Sequence, residues 1–178
     1  MEFVNNKGGE ATYPLINKGN NMKIDFEKSH GGRQKCTSVK FKKDLTNDCS
    51  IRAIVHFLYG QSESAIDYKV IRDELFEIAK EKFMMPNDDR VVDAFMNKLG
   101  FYKKSPKTIG KTKKKYKIGN FPNDEKLCIL IRCSQHWTCL YGDVILDTWD
   151  CRNWSAQSYY VYEPTDEIQK WEKSIMGR

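Results

Sequence analysis

The chain lacks the features that would place it in several large classes. No apolar run among its 178 residues approaches the ~20 needed to cross a bilayer, so no membrane span is expected. The opening residues MEFVNN have neither the basic nor the apolar region of a secretory signal. A reducing cytoplasm is therefore the expected setting. The six cysteines (Cys36, Cys49, Cys128, Cys133, Cys139, Cys151) include no C-x-x-C pair, and no histidine lies at finger-like spacing from two of them. That pattern argues against structural zinc and, without secretion, against a disulfide framework; buried free thiols are the expectation. No phosphate-cradling glycine loop, metal motif or internal repeat is present, so no cofactor and no metal are expected. Asn153-Trp154-Ser155 matches a glycosylation acceptor, but nothing routes the chain through a secretory path, and it reads as ordinary surface.

Charge is abundant but uneven. Residues 102–117 (YKKSPKTIGKTKKKYK) hold eight lysines and no acid, although the whole chain carries only +6. The remainder is thus slightly acidic. One basic segment on a near-neutral body points to a local loop or hairpin rather than to a generally nucleic-acid-binding protein. A nucleic-acid contact through Lys103, Lys104, Lys107, Lys111, Lys113, Lys114, Lys115 and Lys117, with Tyr102 and Tyr116 as stacking rings, is the rival use of that segment. The absence of arginine there favours non-specific phosphate contact over base readout.

Residues 1–21, rich in Asn and Gly and without periodicity, read as a flexible arm, with Met22 as an alternative start and residues 22–178 as one domain. The only strand signal in residues 22–43 is weak, at residues 37–41. Residues 49–59 (CSIRAIVHFLY) form a helix with Ile51, Ile54, Val55 and Leu58 on one stripe, Asp48 as its cap and Gly60 as its stop. Further helices are expected over residues 64–83, 90–99 and 166–176. Between the last two the period becomes extended: a buried strand at residues 127–132, a hairpin of residues 137–141 and 144–149 through Gly142-Asp143, and a strand at residues 158–162. Helices first and antiparallel strands second make the class α+β.

A nucleophilic cysteine needs a lowered thiol pKa and a base. Cys49 falls in a helical first turn, where unpaired N–H groups and the helix dipole favour a thiolate and can bind an oxyanion. Only three histidines are available as the base. His56 shares the helix but sits ~10 Å along its axis. His30 lies in a polar stretch with no scaffold. His136 starts a strand and is left by elimination. With a two-residue hairpin turn, Tyr141 pairs with Val144, so His136, Thr138, Asp147 and Trp149 share one face. Asp147 is then the diagonal neighbour of His136 and the leading third member. A one-residue bulge would substitute Asp150. Trp137 and Trp149 could line the cleft, with packing as the simpler use of both.

This order and placement resemble papain-like cysteine peptidases. The segment Asn47-Asp48-Cys49-Ser50-Ile51-Arg52-Ala53 is similar to the Gly-Asn-Cys-Leu-Phe-Arg-Ala nucleophile segment of ovarian-tumour-type deubiquitinases. His136-Trp137-Thr138 and Val144-Ile145-Leu146-Asp147 resemble the His and Asp strands of bacteriocin-processing and transglutaminase-like proteins. Together, over residues 46–162, the two motifs resemble those of small proteins encoded by phages and bacteria. The resemblance implies a papain-like fold, helices packed on a C-terminal sheet with the site between them. It also implies a Cys49–His136–Asp147 thiol hydrolase acting on a peptide, isopeptide or other amide through a thioester. A phage origin would place it in host-cell cytoplasm or in the virion. Papain's glutamine, six residues before the nucleophile, is replaced by Lys43, and Asn47 is the nearest candidate to supply an oxyanion side-chain donor. The alternative is a non-catalytic binding or virion-associated protein on the same scaffold.

Overall fold

Residues 127–162 are dense in Ile, Leu, Tyr, Trp and Val, side chains that suit a pleated and buried surface, and they build most of one sheet. The structure is a computed structural model that describes residues 24–36, 48–123 and 125–176. Its strands are β1 (Asp25–Lys28), β2 (Cys128–Cys133), β3 (His136–Tyr141), β4 (Val144–Asp147) and β5 (Ala156–Val161), in the spatial order β1-β4-β3-β2-β5. β3 and β4 form a hairpin in which Tyr141 pairs with Val144, Leu140 with Ile145 and Cys139 with Leu146. Gly142 at φ 64 takes the first turn position, where a side chain would be strained.

The sheet is mixed, not purely antiparallel. β1 runs parallel to β4 and forms one edge. The sequence signals no strand there, because Asp25, Glu27 and Lys28 are exposed and only Phe26 packs inward. Backbone pairing with β4 holds this strand, and the two apolar residues Ile24 and Phe26 are too short an alternation to announce it. The expected signal at residues 37–41 and the arm at residues 1–21 lie outside the described residues.

Among the described residues, four α-helices complete the α+β architecture: α1 (Cys49–Tyr59), α2 (Ala65–Lys82), α3 (Asp89–Lys98) and α4 (Asp166–Met176). α2 starts where the Ser64 hydroxyl accepts from the Ile66 and Asp67 N–H groups, and α3 where Asp88 accepts from Arg90 N–H at 2.9 Å. α1 is buried on nearly every side, with Ile51, Ala53, Ile54, Val55, Phe57 and Leu58 all inside. It lies between β3 and α2, so the expected single stripe becomes a nearly enclosed helix.

Two apolar layers result, one on each face of the sheet. The helical layer joins α1–α4 to Leu130, Trp137, Cys139 and Tyr160. The other gathers Ile129, Ile131, Leu140, Ile145 and Tyr159 under Ile24, Ile118, Phe121 and Cys151, which come from segments outside the sheet and the α-helices. The basic segment belongs to this second side. Its hairpin is closed by pairing of Thr108 with Lys115, and Lys104 and Lys117 bridge to Tyr159 and Ser155 along the β5 edge. Among the described residues, no helix is long and apolar enough to cross a membrane.

Candidate active site

Cys49 opens α1, and the residue before it sets its surroundings. Asp48 occupies the cap position, but its side chain makes no cap hydrogen bond, contrary to expectation. Its fully buried carboxylate instead takes Arg33 Nη1 at 3.1 Å, Arg52 Nε at 3.2 Å and the Tyr68 hydroxyl at 2.8 Å. Two cations and a phenol outcompete the local N–H groups for that carboxylate. The first N–H groups of α1 are therefore left uncapped by Asp48 beside the thiol.

His136 opens β3. Its Nε2 lies 2.6 Å from Asp147 Oδ2, and its ring also neighbours the Cys49 thiol, closely enough that each favours the other's charged form. With Nε2 engaged, Nδ1 is the nitrogen left to face the sulfur. The β3–β4 register places His136 and Asp147 on one face, and the helix end brings Cys49 to the same imidazole. All three side chains are buried. Asp147 is held in turn by Thr148 N–H, which donates to Oδ1 at 2.6 Å, and by the Cys151 thiol at 3.8 Å from Oδ2.

The electrostatics follow from these contacts. Burial pushes the Cys49 thiol up, but the His136 hydrogen bond, the Trp137 N–H, the His136 charge and Arg52 outweigh it, so its pKa lies below the ordinary thiol value. Burial works against a charged His136, yet hydrogen bonds to Asp147 and Cys49 together with their charges raise it to about 9. Asp147 is lowered: burial opposes ionisation and His136, by hydrogen bond and charge, overrides it. Neighbours of opposite sign thus favour a thiolate–imidazolium pair.

The other candidates stand elsewhere. Asp150 is exposed and paired with Arg152 at 2.7 Å, away from His136; β4 ends without the bulge that would have turned Asp150 inward. His56 hydrogen-bonds Ser29 Oγ at 2.8 Å and the Gly60 carbonyl at 2.9 Å. The backbone N–H of His30 donates to Glu63. Asn47 lies outside the described residues. Lys103 pairs with Asp93, Lys104 with Glu163 at 3.5 Å and Lys115 with the Gln157 side chain, whereas Lys113 and Lys114 stand exposed.

The tryptophans divide sharply. Trp137 is buried and stacks on Tyr160 at 6.3 Å, a packing role. Trp149 and Trp154 are 55% and 39% exposed, yet their rings lie 5.2 and 5.7 Å from the His136 ring. By sequence, Trp154 reads as ordinary surface. The signal available was the clustering of Trp149 and Trp154 just after Asp147.

His136, Asp147 and Cys151 offer three ligand atoms within 4.8 Å of one another. Two ligands of one tetrahedral zinc would stand ~3.3 Å apart at ordinary bond lengths. The 2.6 Å between His136 Nε2 and Asp147 Oδ2 is a hydrogen bond instead, and the two groups would have to part to share an ion.

Comparison with protein-family models, with curated proteins and with solved structures finds nothing that matches this chain.

Proposed function

We propose that the protein is a papain-like thiol hydrolase, a cysteine peptidase or amidase, with Cys49 as nucleophile, His136 as acid and base, and Asp147 as the group that orients His136. The observation that carries this reading is the buried group of Cys49 beside His136 and His136 hydrogen-bonded to Asp147, with the thiol at a helix start.

The chemistry runs in two halves. The Cys49 thiolate attacks the carbonyl carbon of the substrate amide, and the carbonyl electrons move to its oxygen. N–H groups at the start of α1 are the donors proposed for that oxyanion. His136 gives its proton to the departing nitrogen, the C–N bond breaks and a thioester remains. Water then loses a proton to His136 as its oxygen attacks the thioester. Collapse breaks the C–S bond, releases the acid and restores thiolate and imidazolium. Asp147 never leaves the imidazole, fixing the ring so that Nδ1 meets the sulfur.

The test is iodoacetamide alkylation across pH, read at Cys49 by peptide mass spectrometry in the native protein and in His136→Ala. Selective labelling of Cys49 well below pH 8 that slows in the variant is expected. Sluggish labelling that ignores the substitution would replace this reading with a non-catalytic binding protein.

A further inference from the structure

The lysine-rich segment takes no part in this chemistry, but its position ties it to the site. Its hairpin is closed by the Thr108–Lys115 pairing and by Ile109 N–H donating to the Lys114 carbonyl at 2.8 Å. The return limb ends where Lys117 pairs with Ser155 and Ile118 N–H donates to the Trp154 carbonyl at 2.9 Å. Trp154 is the residue whose ring lies against His136 and, at 6.2 Å, against Trp149. The lysines therefore lead along the surface to two exposed rings at the catalytic histidine.

Lys111, Lys113, Lys114 and Lys117 are exposed and have no acidic partner among the described residues. Crowded like charges repel, and a counter-charge relieves that repulsion while steering an anion toward the surface. Two observations favour an acidic polypeptide over nucleic acid. The charges are ammonium groups without a guanidinium fork for phosphate. Tyr116 packs against the second core, and the exposed Tyr102 stands beside Lys103 and Lys104, which are already paired with Asp93 and Glu163, so no free ring lies among the unpaired lysines. The lysines lead instead to residues whose proposed reaction is on an amide.

We propose that the lysine hairpin and the Trp149–Trp154 pair form one docking surface for an acidic stretch of a polypeptide substrate. The residues beside the cleaved bond would lie against the two rings. The inference rests on the hydrolase reading above and names its substrate class.

The probe is a short fluorescein-labelled poly-glutamate peptide, followed by anisotropy on the full chain. Expected is binding that weakens as salt rises. Replacing Lys111, Lys113, Lys114 and Lys117 together by Gln should lower affinity about tenfold, and replacement by Arg should restore it. Unlabelled peptide should also slow Cys49 alkylation in the native protein, since the docked chain covers the site. Absence of binding, or binding indifferent to the Gln variant, overturns the proposal. So does tighter binding of a single-stranded oligonucleotide of equal charge, which would assign the surface to nucleic acid. Cys49 activation is read separately from alkylation without peptide, so lost docking beside an activated thiol overturns the surface alone.

Discussion

Asp147 and Asp150 lie three residues apart and meet opposite surroundings, one buried against an imidazole and the other exposed on a guanidinium. Their amides should separate accordingly. In Asp147→Asn the imidazolium loses its counter-charge, and Cys49 alkylation at neutral pH should slow by about tenfold for each unit the thiol pKa recovers. Asp150→Asn should alkylate within about twofold of the native rate, because it disturbs only a surface ion pair. If the proposed hydrolase reading holds, the pH–rate profile of hydrolysis should be bell-shaped, rising as the depressed Cys49 ionises and falling as His136 loses its proton near about 9. For stability the sign follows from the raised histidine. Its contribution is complete below the unfolded value near 6.5 and is lost as pH rises through about 9. Urea midpoints from pH 6 to pH 10 measure it. At this scale the positions of Cys49, His136 and Asp147 on their elements were legible because a helix start, a strand start and a hairpin register are local properties. Trp154 was not, since its nearness to His136 depends on the path of the chain after β4.

The elements differ in how plainly the chain announces them. α2 and α3 carry Ser64 and Asp88 as caps, and both caps form as the residue types predict. α1 looked similar, but Asp48 is claimed by Arg33, Arg52 and Tyr68 from beyond the helix start. Arg33 reaches Asp48 because the preceding loop is pinned: the Glu63 carboxylate accepts the backbone N–H groups of His30, Gly31 and Gly32. Gly32, at φ 81, lies so close to the next element that a Cβ would fall 2.0 Å from the Ser64 carbonyl oxygen. Asp48→Asn keeps the shape of the side chain but strands two guanidinium groups. It should lower unfolding free energy by about 3 kcal/mol, measured by urea denaturation. None of these partners follows from helical periodicity, which records which face is apolar and not which charges converge on its end.

For the whole molecule, the helical layer sits on one face of the sheet and irregular chain on the other, with α4 closing the helical side. Trp171 on α4 is buried with its ring edge-on to Phe95 of α3 at 5.7 Å. Trp171→Ala should cost about 3–5 kcal/mol in urea unfolding. Alkylation of Cys49 in the folded protein should stay within about twofold, since α4 supplies nothing to the site. Readable along the chain were the α+β class, the order of the helices and four of the strands, the hairpin turn and the positions of three candidate site residues. Each of these rests on periodicity, caps or turn chemistry within a few residues. Only the tertiary structure decided that β1 joins parallel to β4, that Asp48 serves arginines rather than its helix, and that Trp154 and the lysine hairpin border His136. Those outcomes are pairings between segments distant in the chain, and composition and spacing do not record which distant groups a folded backbone brings together.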